Sequence, residues 1–367
     1  MGNCCAADDD KNQTKTDVGR RSPKKKSKKG KGVDAKGFEK FKEEIQDENQ
    51  EELWSDVEDL EEGDGTDEDD FPNNEVTLDR KGDTKDLFKK KFMKTVIKYC
   101  AADVKTKFKE LGPFKYRKRD YNHLKLDEDE LEIKEPVQLS DKSYYFGQWV
   151  KGTEIKQGRG IAVNSDGSLF EGFWKKDSQF GKGRTISINQ DVHQGYYKGD
   201  SPNGYGLFLH ALGSISKGHY KDGKLKGDGY EHWTDNSSYR GKYAKGVKNG
   251  EGHFTWADES TYHGGMIENE LNGTGTYEWS DGRKFDGDFK NNKMHGEGKF
   301  SWEDGRTYVG GYENDKKHGY GEYTWPDGRS YKGGWKDGKQ HGEADYTNAE
   351  GHTKRGVWNE GAKEKWI

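Results

Sequence analysis

Residues 331–342 read Tyr-Lys-Gly-Gly-Trp-Lys-Asp-Gly-Lys-Gln-His-Gly, and closely related stretches recur along more than half of the chain. In most of them an aromatic residue lies two positions before a glycine, and a large residue lies two positions after it. That glycine occupies positions 147, 172, 195, 218, 241, 264, 287, 310, 333 and 356, so every step after the first is 23 residues. A fixed period of this length indicates a repeat architecture.

The alternation inside each repeat is typical of β-strands. Tyr308, Gly310 and Tyr312 are spaced by two residues, and the second half of the repeat alternates in the same way at Tyr323 and Trp325. A spacing of two places side chains on one face of a strand. Each repeat is therefore predicted to be a β-hairpin with an aromatic face and a polar face of Glu, Lys, Thr and Ser. Asp-Gly and Asn-Gly pairs are predicted to form the turns.

These stretches resemble the MORN repeat, of the protist type with about ten copies and an acylation-like N-terminus. Ten copies can be placed over residues 143–360. The resemblance implies an all-β fold, an extended single-layer solenoid of consecutive MORN β-hairpins. Copies three and four depart from the pattern, with His193 and Ser216 at the leading aromatic position. The tenth copy has Lys354 there, and we expect it to be a terminal cap.

The composition agrees with a thin, repetitive fold. Of 367 residues, 28% are hydrophobic and 36% are charged, which is too polar for a two-domain enzyme with large cores. No apolar stretch is long enough for a transmembrane helix, and no secretory signal is evident. Three cysteines give neither a disulfide framework nor a zinc spacing. We therefore predict an intracellular protein without a metal site or cofactor.

The N-terminus, Met-Gly-Asn-Cys-Cys, indicates lipid attachment. Gly2 is placed to accept myristate, and Cys4 and Cys5 are placed to accept palmitate. Ala6 departs from the usual Ser or Thr at that position. The alternative is that these residues are incidental. Because one myristoyl chain binds membranes only marginally, stable anchoring requires a second signal.

A basic run offers a further membrane signal. It is followed by residues 43–70, which hold sixteen acidic residues and no basic one. Charge blocks of this kind predict a disordered tail over residues 1–83. Phosphorylation of Ser22 or Ser27 would weaken an electrostatic contact with anionic lipid. The alternatives for the basic run are a solvated linker and a nuclear-import signal. The basic residues are Arg20, Arg21, Lys24, Lys25, Lys26, Lys28, Lys29 and Lys31.

Residues 84–111 are predicted to form one amphipathic helix. Its apolar positions, spaced by three and four, include Phe88, Val96, Val104 and Phe108, and lysines occupy much of the rest. It can cap the first repeats, or bind a calmodulin-like protein or a membrane surface. A linker over 112–142 and a C-terminal tail over 361–367 complete the predicted organisation.

No catalytic site is evident, so we predict that the chain is not an enzyme. The sequence lacks a glycine-rich loop followed by a catalytic lysine, and a metal-binding aspartate motif. His295, His318 and His341 recur at one repeat position, which indicates architecture rather than catalysis. The resemblance extends to the MORN region of phosphatidylinositol phosphate kinases, but this chain has no room for a kinase domain.

The remaining functions are binding functions. The first is a membrane-anchored scaffold that presents the repeats to protein partners at a membrane–cytoskeleton, cortical or ciliary structure. It would lie on the cytoplasmic face of the plasma membrane, the cortex or the cilium. The alternative is a phospholipid-binding (phosphoinositide-binding) module, or a regulatory subunit resembling the kinase-associated MORN region. The repeats are nearly neutral, which disfavours strong binding of anions, and no nucleic-acid partner is predicted.

Overall fold

The computed structural model describes residues 90–115 and 128–367. The predicted disordered tail lies outside these ranges. The described chain has two units. The N-terminal unit comprises residues 90–226 and 231–234, and the C-terminal unit comprises residues 227–230 and 235–367. The 21 strands of the described residues belong to one antiparallel sheet, in which no pairing joins the first strand to the last. The predicted all-β, single-layer solenoid of hairpins is thus confirmed.

The N-terminal unit begins with two helices and continues with antiparallel strands that each pair with the next. Its elements are α1 Lys90–Ile97, α2 Ala102–Leu111, the 3-10 helix Glu128–Glu130, β1 Leu131–Gln138, β2 Tyr144–Val150, β3 Lys156–Val163, β4 Leu169–Lys175, β5 Ser178–Ile186, β6 Val192–Lys198, β7 Ser201–Leu209 and β8 Ile215–Lys221. The residues of β9, Lys224–His232, are divided between the two units.

The C-terminal unit consists of strands that likewise pair in chain order. They are β10 Ser238–Ala244, β11 Val247–Thr255, β12 Thr261–Ile267, β13 Glu270–Glu278, β14 Lys284–Lys290, β15 Lys293–Ser301, β16 Thr307–Glu313, β17 Lys316–Thr324, β18 Ser330–Lys336, β19 Lys339–Thr347, β20 Thr353–Asn359 and β21 Ala362–Trp366.

Paired glycines allow an aromatic ring to lie flat on most of the hairpins. In the hairpin β16–β17, Gly310 is the cross-strand partner of Gly321. A Cβ atom on Gly321 would lie 2.6 Å from carbons of the Tyr308 ring, so only glycine leaves room for it. The buried Tyr308 hydroxyl donates a hydrogen bond to the Gly311 carbonyl at 3.0 Å. The ring therefore packs on both strands and is also hydrogen-bonded at its tip.

The two atypical copies have a polar side chain in place of the tyrosine or phenylalanine ring. His193 takes the ring position, and its Nδ1 lies 2.7 Å from the hydroxyl oxygen of Tyr197. Ser216 is too small to cover the glycines, and its hydroxyl lies 3.0 Å from that of Tyr220. In both copies the aromatic residue four positions later provides the buried hydrogen-bond partner that a smaller polar group requires.

The face opposite the rings differs between the two units, and the prediction of a polar face is wrong for the N-terminal one. There the second face is apolar and buried by the helices, in a cluster that combines Val96, Cys100, Val104 and Phe108 with Phe146, Ile161, Val163, Leu169, Ile186, Val192, Leu207, Leu209 and Ile215. Strands covered on both faces are apolar at successive positions. In the C-terminal unit this face is polar, as predicted; we call it the open face.

Three predicted boundaries differ from the structure. The single helix is interrupted at residues 98–101, where the Ala101 amide donates to the Gly167 carbonyl at 3.0 Å instead of continuing the helix. The predicted linker contains β1, which pairs with β2 along Leu131–Gln138. The predicted C-terminal tail contains β21, which pairs with β20 and extends the repeat array. Cross-strand pairing decides both of the latter boundaries.

Candidate partner-binding surface

A continuous row of aromatic rings follows the second strands of the C-terminal hairpins. We call it the ring row. Neighbouring rings lie close together, for example Phe300 and Trp302 with centroids 4.4 Å apart and Trp302 and Tyr323 with centroids 5.5 Å apart. Its members are Phe254, Trp256, Tyr277, Trp279, Phe300, Trp302, Tyr323, Trp325 and Tyr346.

Burial divides the ring row into two kinds of residue. Tyr277, Phe300 and Tyr323 are buried and form its base. The four tryptophans, at positions 256, 279, 302 and 325, are only partly buried, because each follows its strand and lies at the start of a turn. The row thus has a partly exposed indole once in every 23 residues.

Three of these indoles are each covered by an arginine of their own. The guanidinium carbon of Arg306 lies 5.4 Å from the centroid of Trp302, and its Nε lies 2.7 Å from the Asp304 carboxylate. Gly305, with a φ of 88°, allows the tight turn that folds the arginine back over the ring. Arg283 covers Trp279 at 5.3 Å and Arg329 covers Trp325 at 5.4 Å in the same way.

The carboxylate in each turn fixes the arginine. Arg283 Nε donates hydrogen bonds to both oxygens of Asp281, at 2.9 and 2.8 Å. The hydrogen bond from the Arg283 side chain lowers the pKa of the Asp281 carboxyl below its ordinary value. The carboxylate therefore stays charged over the neutral range, and the guanidinium remains oriented over the indole.

One lysine is enclosed by the rings. The ammonium nitrogen of Lys317 lies 4.7 Å from the Tyr323 centroid, 5.0 Å from Trp335 and 5.1 Å from Trp302. The same repeat position holds the buried apolar residues Leu271 and Met294 in the two preceding hairpins. Lys317 thus replaces an apolar side chain with a cation that the ring faces stabilise.

The open face of the C-terminal unit carries pairs of opposite charge instead of a row of rings. Opposite charges meet across its strands, as between Lys332 and Glu322 at 3.1 Å and between Arg355 and Glu343 at 3.1 Å. Val309 and Tyr320 are exposed on it, Tyr320 to 63%. Exposed pairs of this kind contribute little to stability or affinity. The arginine-capped tryptophans make the ring row the better candidate for a binding surface.

The helices of the N-terminal unit are held down by a buried ion pair on the sheet. Arg184 and Glu171 pair side by side on β5 and β4, with side chains 3% and 1% exposed. The same two residues bind the end of α2, because Arg184 Nη2 donates to the Gly112 carbonyl at 2.6 Å and Glu171 accepts from the Phe114 amide at 3.2 Å. This arrangement makes the helices a cap. A calmodulin-like partner would have to remove them from the sheet, and such a partner stays a prediction.

The sequence-predicted site residues are not brought together by the described structure. The lipidation residues Gly2, Cys4 and Cys5, the basic run and the two serines all lie outside the described residues. No group of three or more metal-ligating side chains occurs within 90–115 and 128–367. In the same ranges no helix is long and apolar enough to cross a bilayer. Sequence reasoning found the tryptophans and the Asp-Gly turns but missed the arginines, although these recur with the same 23-residue period.

Comparison with known families and structures identifies the repeats. A model of the MORN repeat matches residues 239–261, 262–282, 285–305, 308–328 and 331–353. A search of the curated proteins found no match. The TCP10 domain of Danio rerio CPAP, in complex with a peptide of Danio rerio STIL, is a similar solved structure with 12% identity and a TM-score of 0.35, over 63% of this chain and 97% of that one. The SAS-4 (dCPAP) TCP domain of Drosophila melanogaster, in complex with a proline-rich motif of Ana2, has 9% identity and a TM-score of 0.28, over 49% and 90%. Both structures are too distant to bear on the function of this chain.

Proposed function

We propose, for a chain that belongs to the MORN-repeat family, the role of a non-enzymatic scaffold anchored to a membrane by its N-terminus. The scaffold presents the ring row to protein partners at a membrane–cytoskeleton, cortical or ciliary structure. This role needs an accessible binding surface on the repeats and a lipid anchor outside them.

The ring row is the observation that carries the proposal. Tryptophan, tyrosine and arginine are the residues most enriched at energetic hot spots of protein interfaces. Here the indoles at 279, 302 and 325 each lie under an oriented guanidinium. Because the arginines are already fixed by carboxylates, little side-chain entropy is lost when a partner covers them.

The anchor rests on the N-terminal sequence. Gly2 with Cys4 and Cys5 offers sites for two kinds of acyl chain, and two lipid signals are what stable anchoring requires. The basic run adds attraction to anionic lipid, about 1 kcal/mol per lysine or arginine close to the surface.

Substitutions on the ring row test the scaffold function. We compare the parent chain with Trp279→Ala/Trp302→Ala by proximity labelling in the native cell. The matched control is Lys299→Ala/Val309→Ala, which removes two exposed side chains from the open face of neighbouring strands. The proposal predicts labelled proteins that are lost with the tryptophan variant and retained with the control. Identical sets for all three chains would contradict it.

Membrane fractionation tests the anchor separately. Gly2→Ala is expected to move the protein to the soluble fraction, because both acylations then fail. Cys4→Ser/Cys5→Ser is expected to leave weak, reversible binding through a single chain. A Gly2→Ala protein that fractionates like the parent would show that acylation is not the anchor.

A further inference from the structure

The cap formed by α1, α2 and the residues after them is strongly basic. Residues 90–115 contain eight lysines and two acidic residues, Asp103 and Glu110, which is a net charge of +6. They contain no arginine. The repeats, by contrast, are nearly neutral, so the positive charge of the N-terminal unit is concentrated on its cap.

Four of the lysines of the cap are exposed to solvent, whereas the apolar side chains of its helices pack on the sheet. Val96 of α1 and Val104 and Phe108 of α2 are buried against the strands. Lys94 is two residues before Val96, which places it about 160° around α1 from that residue, and Lys98 directly follows the end of α1. Both are exposed, as are Lys109 and Lys115. We call these four residues the lysine face.

The lysine face is held in a fixed orientation. The Arg184–Glu171 pair binds the backbone at Gly112 and Phe114, directly between Lys109 and Lys115. At the other end, Ala101 is hydrogen-bonded to Gly167 and the Tyr99 ring stacks on Tyr144 with centroids 3.7 Å apart. The backbone that carries these lysines is thus fixed on the strands of the N-terminal unit.

The positive charge of this face has no counterpart on the described chain. Within residues 90–115 and 128–367, none of Lys94, Lys98, Lys109 and Lys115 has a carboxylate within ion-pair distance, whereas the buried Lys107 pairs with Glu110 at 3.1 Å. The open face of the C-terminal unit shows the opposite pattern, with cross-strand pairs of unlike charge. A concentrated, unneutralised positive surface favours an external polyanion.

We propose that the lysine face docks on the anionic headgroups of a lipid bilayer, so that the N-terminal unit lies on the membrane with its helices against the lipid. The inference rests on the proposed membrane anchor, which places this face close to a bilayer. Lysine attracts anionic lipid as a point charge, whereas specific nucleic-acid contacts most often use the arginine fork, which this face lacks. Tyr99, 43% exposed beside Lys98, is a residue type that prefers the membrane interface.

Vesicle binding of the full chain carrying Gly2→Ala tests the inference without any contribution from acylation. The variant is Lys94→Gln/Lys98→Gln/Lys109→Gln, and the matched control is Lys221→Gln/Lys290→Gln/Lys336→Gln, three exposed lysines at equivalent positions of β8, β14 and β18. With phosphatidylserine vesicles at low salt, we expect about fivefold weaker binding per lysine, or on the order of 100-fold for the triple variant. The control is expected to lose much less. Unchanged circular dichroism and melting temperature confirm that each variant is folded.

Amine footprinting of the same Gly2→Ala chain provides a second measurement that needs no substitution on the face. Acetylation of Lys94, Lys98 and Lys109 is expected to slow on adding vesicles, while that of Lys221, Lys290 and Lys336 is unchanged. Equal effects at both sets would mean general charge attraction, and no effect at the first set would mean that the face does not touch lipid. Loss of oligonucleotide binding by the first variant, with vesicle binding retained, would assign the face to nucleic acid. Each of these three results overturns the inference, and none depends on whether the chain is acylated in the cell.

Discussion

The contact between Tyr308 and the glycine pair can be tested by adding one methyl group. In Gly321→Ala the new Cβ would lie 2.3 Å from the Tyr308 hydroxyl oxygen and 2.6 Å from two ring carbons. Ordinary carbon–carbon contacts are about 3.5–4.0 Å, so the ring must rise by about 1 Å. Gly321 does not have a positive φ, so its backbone accepts alanine and the effect is purely one of space.

The size of the effect follows from three contributions. Overpacking of this kind costs about 1–3 kcal/mol. Raising the ring also breaks the 3.0 Å hydrogen bond from Tyr308 to the Gly311 carbonyl, worth about 0.5–1.5 kcal/mol. The lower entropy of the unfolded alanine chain offsets about 0.4–1 kcal/mol. We therefore expect the variant to lose about 2 kcal/mol in free energy of unfolding.

A double-mutant cycle separates this steric effect from other causes. Free energies of unfolding are measured by urea denaturation, with hydrogen exchange of the β16 and β17 amides as a local readout. Tyr308→Leu should relieve most of the Gly321→Ala penalty. It should not relieve Gly319→Ala, where φ is 75° and nothing lies within 4 Å, so that backbone strain alone acts. A Gly321→Ala protein as stable as the parent would refute the role assigned to the glycines.

Three further predictions concern a buried histidine, a turn residue and the buried ion pair. Burial lowers the pKa of His193 from 6.5 to about 3, so between these values only the unfolded chain binds the proton and the free energy of unfolding falls as the pH is lowered. In urea denaturation, the parent should therefore lose about 2 kcal/mol more than His193→Phe between pH 7 and pH 5. Equal losses would contradict a buried neutral histidine. Glu259 has a φ of 69°, and the next three repeats have glycine at this position. Glu259→Gly should therefore raise the free energy of unfolding by about 1 kcal/mol. A lower free energy of unfolding in this variant would refute strain at the turn. Glu171→Leu alone should lower the free energy of unfolding by about 3–5 kcal/mol, because it leaves Arg184 buried without its carboxylate. The double variant Glu171→Leu/Arg184→Met should lower it by much less. Equal losses in the two variants would show that the pair does not act as a unit.

The hairpins were predictable because each repeat contains the whole local pattern. The Gly pair, the ring two residues before the first glycine and the Asp-Gly turn are all within 23 residues, and most copies repeat the same information. The terminal strand β21 was not predicted, because it is a strand through its pairing with β20 rather than through a repeat pattern of its own.

The second apolar face of the N-terminal unit depends on what covers it. Leu169 and Phe170 are adjacent apolar residues on opposite faces of β4, a sign of a strand buried on both sides. The later copies have a polar second face, so their consensus does not predict the apolar one of the first copies. The break between α1 and α2 depends on a hydrogen bond from Ala101 to Gly167, and local helix periodicity carries no information about such a distant partner.

The candidate surface was partly predictable. The alternation of Phe300 and Trp302 was visible in the sequence, and so was the Asp304-Gly305 turn. The position of Arg306 over the indole required the structure, because it results from the tight turn that reverses the chain after the strand.

Hydroxyl-radical footprinting of the chain in its native membrane fraction tests the central claim most directly, namely that a protein partner covers the ring row. The oxidation rates of the indoles at 256, 279, 302 and 325 are compared with those of the purified protein by mass spectrometry. Tyr320, 63% exposed on the open face of the same unit, is the internal reference. We predict that the indoles are protected in the membrane fraction while Tyr320 is oxidised as in the purified protein. Equal oxidation of the indoles in both samples, or protection of Tyr320 alone, would contradict the account.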